Sequence, residues 1–151
     1  MANTQAMCTS FKVEILDGLH ALGTSVVRAG TGADTVKAAL YLATATVNAS
    51  TTAYSATNEV SGSGYAAGGV TVTNATAPTS TGTTSFWTPS ASIVYTTVTL
   101  TTAFDCVLLY NSTQSNRAIS VHTFGSQTIT AGTFTLTMPT NDASNAILRF
   151  A

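Results

Sequence analysis

The chain has 151 residues and a mass of 15.4 kDa, enough for one domain with a sizeable core. Only 7% of residues are charged, the net charge is -1 and the pI is near 6.0, which excludes the basic footprint of a nucleic-acid or anionic-membrane binder. A hydrophobic share of 44% excludes a disordered composition, and no window approaches the ~20 apolar residues of a membrane span.

The first ten residues carry neither the basic nor the apolar run of a signal peptide, so synthesis and folding in the cytoplasm are expected. Ser10 reads as the N-cap of a helix over residues 11–22. Phe11, Ile15, Leu19 and Leu22 fall on one stripe, and Gly23 is the stop. After Gly23 the pattern turns to β. Strands are expected at 36–42, 70–73, 85–88, 92–100, 104–110, around Ile119, Val121 and Thr123, at Ile129, at 133–138 and at 146–150. Residues 104–110 are almost continuously apolar, as in a strand covered on both faces. Phe134, Leu136 and Met138 alternate with threonines, the period of a half-covered strand. Residues 43–58, rich in Ala and Thr, fit a long loop, an edge strand or a short helical turn. Residues 74–85 read as a long exposed loop.

No helix separates successive strands after Leu42, which argues against a parallel sheet. The expected architecture is mainly β: an antiparallel, jelly-roll-like β-sandwich with one short N-terminal helix. It spans residues 1–151 as one domain, with 1–23 as the N-terminal segment and helix. The Thr excess suits pleated, half-exposed faces.

Chemistry-bearing residues are sparse. Cys8 and Cys106 match no zinc or redox spacing and are expected as free buried thiols. His20 and His122 share no metal-ligand spacing and are expected to pack or hydrogen-bond. A serine beside His122 and Asp105 is easily imagined, but no G-x-S-x-G elbow exists, and Gly62-Ser63-Gly64 reads as a turn. Glu14 and Asp17, at i and i+3, suit a solvated helix face. Trp87, Tyr65 and Tyr95 could form an aromatic platform for a glycan, but core and hairpin packing is the stronger expectation. No catalytic, cofactor-binding or metal-ligating residue is assigned, and no cofactor is expected.

The charges are placed unevenly. From Ala38 to Phe104 the one formal charge is Glu59. Hydroxyls, amides and methyls cost far less to dehydrate than ions, so such a surface suits a protein packed against copies of itself or a partner. With so few charges, Glu59 and Arg117 are expected to be paired or buried.

Several stretches also carry a resemblance. They are Phe11-Lys12, Gly18-Leu19-His20, the run from Asp34 to Tyr41, Thr51-Thr52-Ala53-Tyr54, the run from Glu59 to Gly69, Tyr110-Asn111-Ser112, Asn116-Arg117, Phe124-Gly125 and the tail Asn145-Ala146-Ile147-Leu148-Arg149. In these the chain resembles a family of small virion structural proteins of tailed bacteriophages and prophages. The resemblance implies a non-enzymatic role in the virion, foremost a capsid decoration or cement protein. Its expected partners are the major capsid protein and itself as a homo-oligomer, with no nucleic acid and no membrane, after assembly in the host cytoplasm. The expected contact elements are residues 43–58, 74–84 and the first ten. The alternatives are a tail, neck or baseplate component and a glycan- or receptor-binding module.

Overall fold

The computed structural model describes residues 2–16, 18–22, 32–73 and 76–151. It is mainly β, with two antiparallel sheets forming a β-sandwich. The elements are β1 (Ala6–Met7), α1 (Thr9–Leu16), β2 (Val36–Leu42), β3 (Val70–Thr71), β4 (Thr79–Thr81), β5 (Thr84–Trp87), β6 (Ile93–Asn111), β7 (Arg117–Leu136) and β8 (Leu148–Phe150). The first sheet has the order β1-β7-β6-β2-β3 and the second the order β4-β5-β8.

The centre of the first sheet is one long hairpin. β6 and β7 hold 19 and 20 residues, so the stretches read from sequence as five separate strands are two. Gly125 and Gly132, which look like turns, lie inside β7. Extra residues are absorbed instead by five register shifts between the strands, with Thr97 (φ 54) and Ala131 (φ 47) in the left-handed region. Such bulges bend and twist a strand without ending it. The half nearest the connecting turn is covered on both faces: Cys106 to Asn111 and Ala118 to Val121 are buried. β2 lies antiparallel beside this half, from Val36 opposite Asn111 to Leu42 opposite Phe104. The expectation of a doubly covered strand at 104–110 therefore holds.

Helix α1 ends six residues before the expected Leu22. Gly18 (φ 69) takes the left-handed conformation that favours glycine; its N–H donates to the Ile15 carbonyl (3.0 Å) and that of Leu19 to the Glu14 carbonyl (2.9 Å). This pair of bonds closes a helix C-terminus, so the stop is Gly18, while Gly23 lies outside the described residues. Ser10 is not the cap either: the helix begins at Thr9, and the Ser10 hydroxyl is buried without a hydrogen-bond partner. Phe11 is fully buried, and the helix packs on β7 of its own sandwich.

Residues 2–10 are part of that sandwich too. β1 pairs with Val121 and Ser120 of β7. The Asn3 amide donates to the Leu42 carbonyl (3.1 Å) and to Asp105 Oδ1 (2.6 Å), and its oxygen accepts from Val47 N–H (2.9 Å). Residues 43–58 form a pinned loop, with Ala45 and Val47 buried and Ala53 bridged to Arg117. The expected loop at 74–85 contains a hairpin, β4–β5, which turns at Gly82 (φ 60). The strand expected at 85–88 is β5. Its Trp87, with Leu148 of β8 and Ile93 of β6, joins the second sheet to the common core.

Candidate functional site

Charge burial is the first feature of the surface. Glu14, Asp34 and Glu59 are buried, which leaves Asp105 and Asp142, both half-buried, as the remaining described carboxylates. The exposed charges among the described residues are Lys12, Arg117 and Arg149, all basic. Glu14 on a solvated face was therefore a wrong expectation, and Asp17 lies outside the described residues.

Glu59 sits in a cage of tyrosines. Tyr54 donates to Oε2 (2.7 Å), while Tyr65 (2.7 Å) and the Gly68 N–H (2.8 Å) donate to Oε1. The Tyr65 hydroxyl in turn accepts from Leu40 N–H (3.0 Å), which turns its proton toward the carboxylate. Tyr54 stacks on Tyr110 and Tyr65 on Tyr95, with centroids 4.7 and 5.9 Å apart. Tyr110 donates to the Gly68 carbonyl (2.8 Å) and Tyr95 to the Ala38 carbonyl (2.9 Å). Tyr41, the fifth tyrosine of the chain, donates to the Ser55 carbonyl (2.5 Å). Burial, reinforced by the Glu59 charge, raises the pKa of all five phenols; that of Tyr41 is pushed up to about 12. Three neutral donors, Tyr54, Tyr65 and the Gly68 N–H, thus satisfy the carboxylate directly, and Lys37 Nζ lies close by, beside Gly68.

A second cluster joins the start of the chain to the β6–β7 turn. The Arg117 guanidinium donates to Glu14 Oε1, and His20 Nε2 lies 2.7 Å from Glu14 Oε2. The His20 side chain is 1% exposed and meets Phe11 edge to face at 4.7 Å. The Asn111 amide lies 3.0 Å from His20 Nδ1 and donates to Asp34 Oδ2 (2.7 Å), which also accepts from Ala21 N–H (2.7 Å). Asn111 Oδ1 is taken by the N–H groups of Thr113 and Gln114, both at 3.1 Å. The amide must therefore donate to Nδ1, which assigns the imidazole proton to Nε2, toward Glu14.

The third feature is a furrow of about 330 Å³ beside β7, lined by Val107, Leu109, His122, Leu136, Met138 and Arg149 among others. Ser120 Oγ lies 2.9 Å from His122 Nε2. Desolvation pushes the imidazole down to about 4, well below the range of a general base at neutral pH. Ser120 is 1% exposed, and Asp105 accepts from Asn3 rather than orienting His122. The imagined Ser–His122–Asp105 arrangement is not assembled. Trp87 and Tyr95 are each 2% exposed, Trp87 donating from Nε1 to the Thr76 carbonyl (2.9 Å), so they form no surface platform for a glycan.

Cys8 and Cys106 are free and buried, as expected, and burial pushes their thiols up to about 11 and about 12. Among the described residues no group of three His, Cys, Asp or Glu is arranged to hold a metal ion, and no helix is long and apolar enough to cross a membrane. Sequence reasoning singled out Glu59 by its isolation. It missed Asp34 and Asn111, for which a polar residue beside a buried strand was the one available signal. Compared with family models, curated proteins and solved structures, the chain matches none.

Proposed function

We propose that this chain is a non-enzymatic structural protein of a bacteriophage virion, a decoration or cement protein that binds the major capsid protein and copies of itself on the head. One observation carries the reading: among the described residues of this charge-poor chain Glu14, Asp34 and Glu59 are buried, so the exterior is mostly hydroxyls, amides and methyls, with Lys12, Arg117 and Arg149 as its exposed charges. Covering such an exterior costs little desolvation. Each ~1,000 Å² of apolar area covered offers ~25 kcal/mol of gross burial before the entropy of association is subtracted. Repetition over many equivalent sites on a shell then multiplies weak contacts into avidity. The phage assignment rests on the sequence resemblance.

Gel densitometry of purified particles tests it. Hundreds of copies per particle are expected on a head. Tens or fewer would move the chain to the tail, neck or baseplate, and absence from intact particles would end the virion reading.

A further inference from the structure

We infer that the seam between the β1–β7 edge of the first sheet and β8 of the second receives an extended apolar peptide strand bearing an acidic side chain, contributed by a neighbouring chain. This names the partner chemistry for the assembly reading above and rests on it.

Among the described residues, two strand edges without a second paired strand border one furrow. β8 pairs with β5 on one side only. β1 pairs with β7 only at Ser120 and Val121; beyond them, among the described residues, β6 is the one strand paired with β7, and Gln5 meets it at the Thr123 hydroxyl (3.5 Å). Thr123 and Phe124 of β7 line the furrow together with Ile147 and Arg149 at β8. It continues past Met7 of β1 into a second depression of about 360 Å³ that shares Ile147 and Arg149. Ile93, Leu136 and Met138 line the furrow together with Gln5, His122 and Thr137, and Val107 and Leu109 lie nearly fully buried beneath it.

A strand edge presents N–H and C=O groups at the repeat of an extended backbone, about 3.4 Å per residue. A compact small molecule would fill the floor but leave that repeat unanswered. An extended peptide answers both, its main chain bonding an edge and alternate side chains entering the floor. Charge selects among peptides. No Asp or Glu lines the furrow, and Arg149 is the cation on its rim. Asp142 is near: the Asn145 amide and the N–H groups of Ser144 and Asn145 donate to it and, with the Arg149 charge, hold its carboxyl below the usual range, so an incoming carboxylate would share Arg149 with it. The guanidinium of Arg149 is tethered by donation to the Ser144 carbonyl and stays exposed.

The test uses the full chain, isotope-labelled, and two capped octapeptides that alternate leucine and serine around a central glutamate or a central lysine. The glutamate peptide should shift the amide resonances of residues 122–124 and 147–151. It should bind about threefold to fivefold tighter than the lysine peptide, the range of one exposed ion pair. Arg149→Glu, on an exposed edge position, should reverse that order while core resonances stay in place. Shifts confined to other residues, no shift at millimolar peptide, or an order indifferent to Arg149→Glu would each overturn the seam. If the peptides fail while the chain is counted on particles, the seam falls and the virion reading stands. Peptide binding by a chain absent from particles would leave the seam and remove its assigned setting.

Discussion

Glu59 and Glu14 are both buried carboxylates, yet one is held by hydroxyls and a backbone amide and the other by a guanidinium and an imidazole. The partners of Glu59 lie five to nine residues away, so the cage organises one local loop against β2 and β6. Arg117 lies 103 residues from Glu14, so the second cluster ties the start of the chain to the far turn of the long hairpin. The contrast teaches that one chain satisfies two buried carboxylates in different ways, Glu59 with neutral donors from its own loop and Glu14 with a guanidinium from the far turn beside a nearby imidazole. Hydroxyls suit Glu59 because they add no second ion to desolvate.

Alkali should separate the two ends most sharply, because all five tyrosines gather at the Glu59 end. A phenol whose pKa is raised on folding contributes stability that is whole below the unfolded value, 10.0, and lost as pH rises through the folded value, about 12 for Tyr41. Tyrosinate absorbance should therefore stay flat to pH 10 and then rise together with unfolding measured by tryptophan fluorescence. Independent tyrosine titration in a folded chain would contradict the cage.

Substitution at Glu59 comes next. Glu59→Ala leaves Tyr65 and the Gly68 N–H without an acceptor and should cost about 4 kcal/mol in denaturant unfolding; Glu59→Gln, which keeps the volume and one acceptor, should cost about 2. Equal costs would mean that shape rather than hydrogen bonding matters there.

Two left-handed glycines extend the comparison. A Cβ at Gly69 (φ 68) would lie 1.7 Å from the Ala38 carbonyl oxygen, so Gly69→Ala must move β2 and should cost about 3 kcal/mol. Arg117→Ala removes a guanidinium that is 44% exposed from a buried Glu14 that keeps His20, and should cost about 1–2 kcal/mol. A Cβ at Gly18 (φ 69) would meet nothing within 4 Å, so Gly18→Ala should cost only the backbone strain, about 1 kcal/mol. Thermal unfolding of these three variants should rank them in that order.

Much of the fold was readable in one dimension. The apolar run at 104–110 and the alternation at 133–138 marked strands that exist, and the β-rich class followed from them. The ends of elements were harder. Gly18 sat inside an apolar stripe of helical spacing, so the stripe outvoted it, although two backbone bonds make it the stop. Bulges hid the continuity of β6 and β7, because a residue in the left-handed region inside a ladder looks, in sequence, like any other threonine or alanine. Core or hairpin packing was the stronger expectation for Trp87, and it lies in the core.

Composition and periodicity alone set a charge-poor, threonine-rich β protein with an isolated Glu59, because pleating demands alternate residues and needs no knowledge of partners. Which groups meet Glu59 and Glu14 was beyond them. Tyr54, Tyr65 and Gly68 reach one carboxylate, and Arg117 and His20 the other, only once the sheet register brings distant segments within a few ångströms. Hydrogen bonds act over that short range and so depend on three-dimensional neighbours, which linear spacing does not encode.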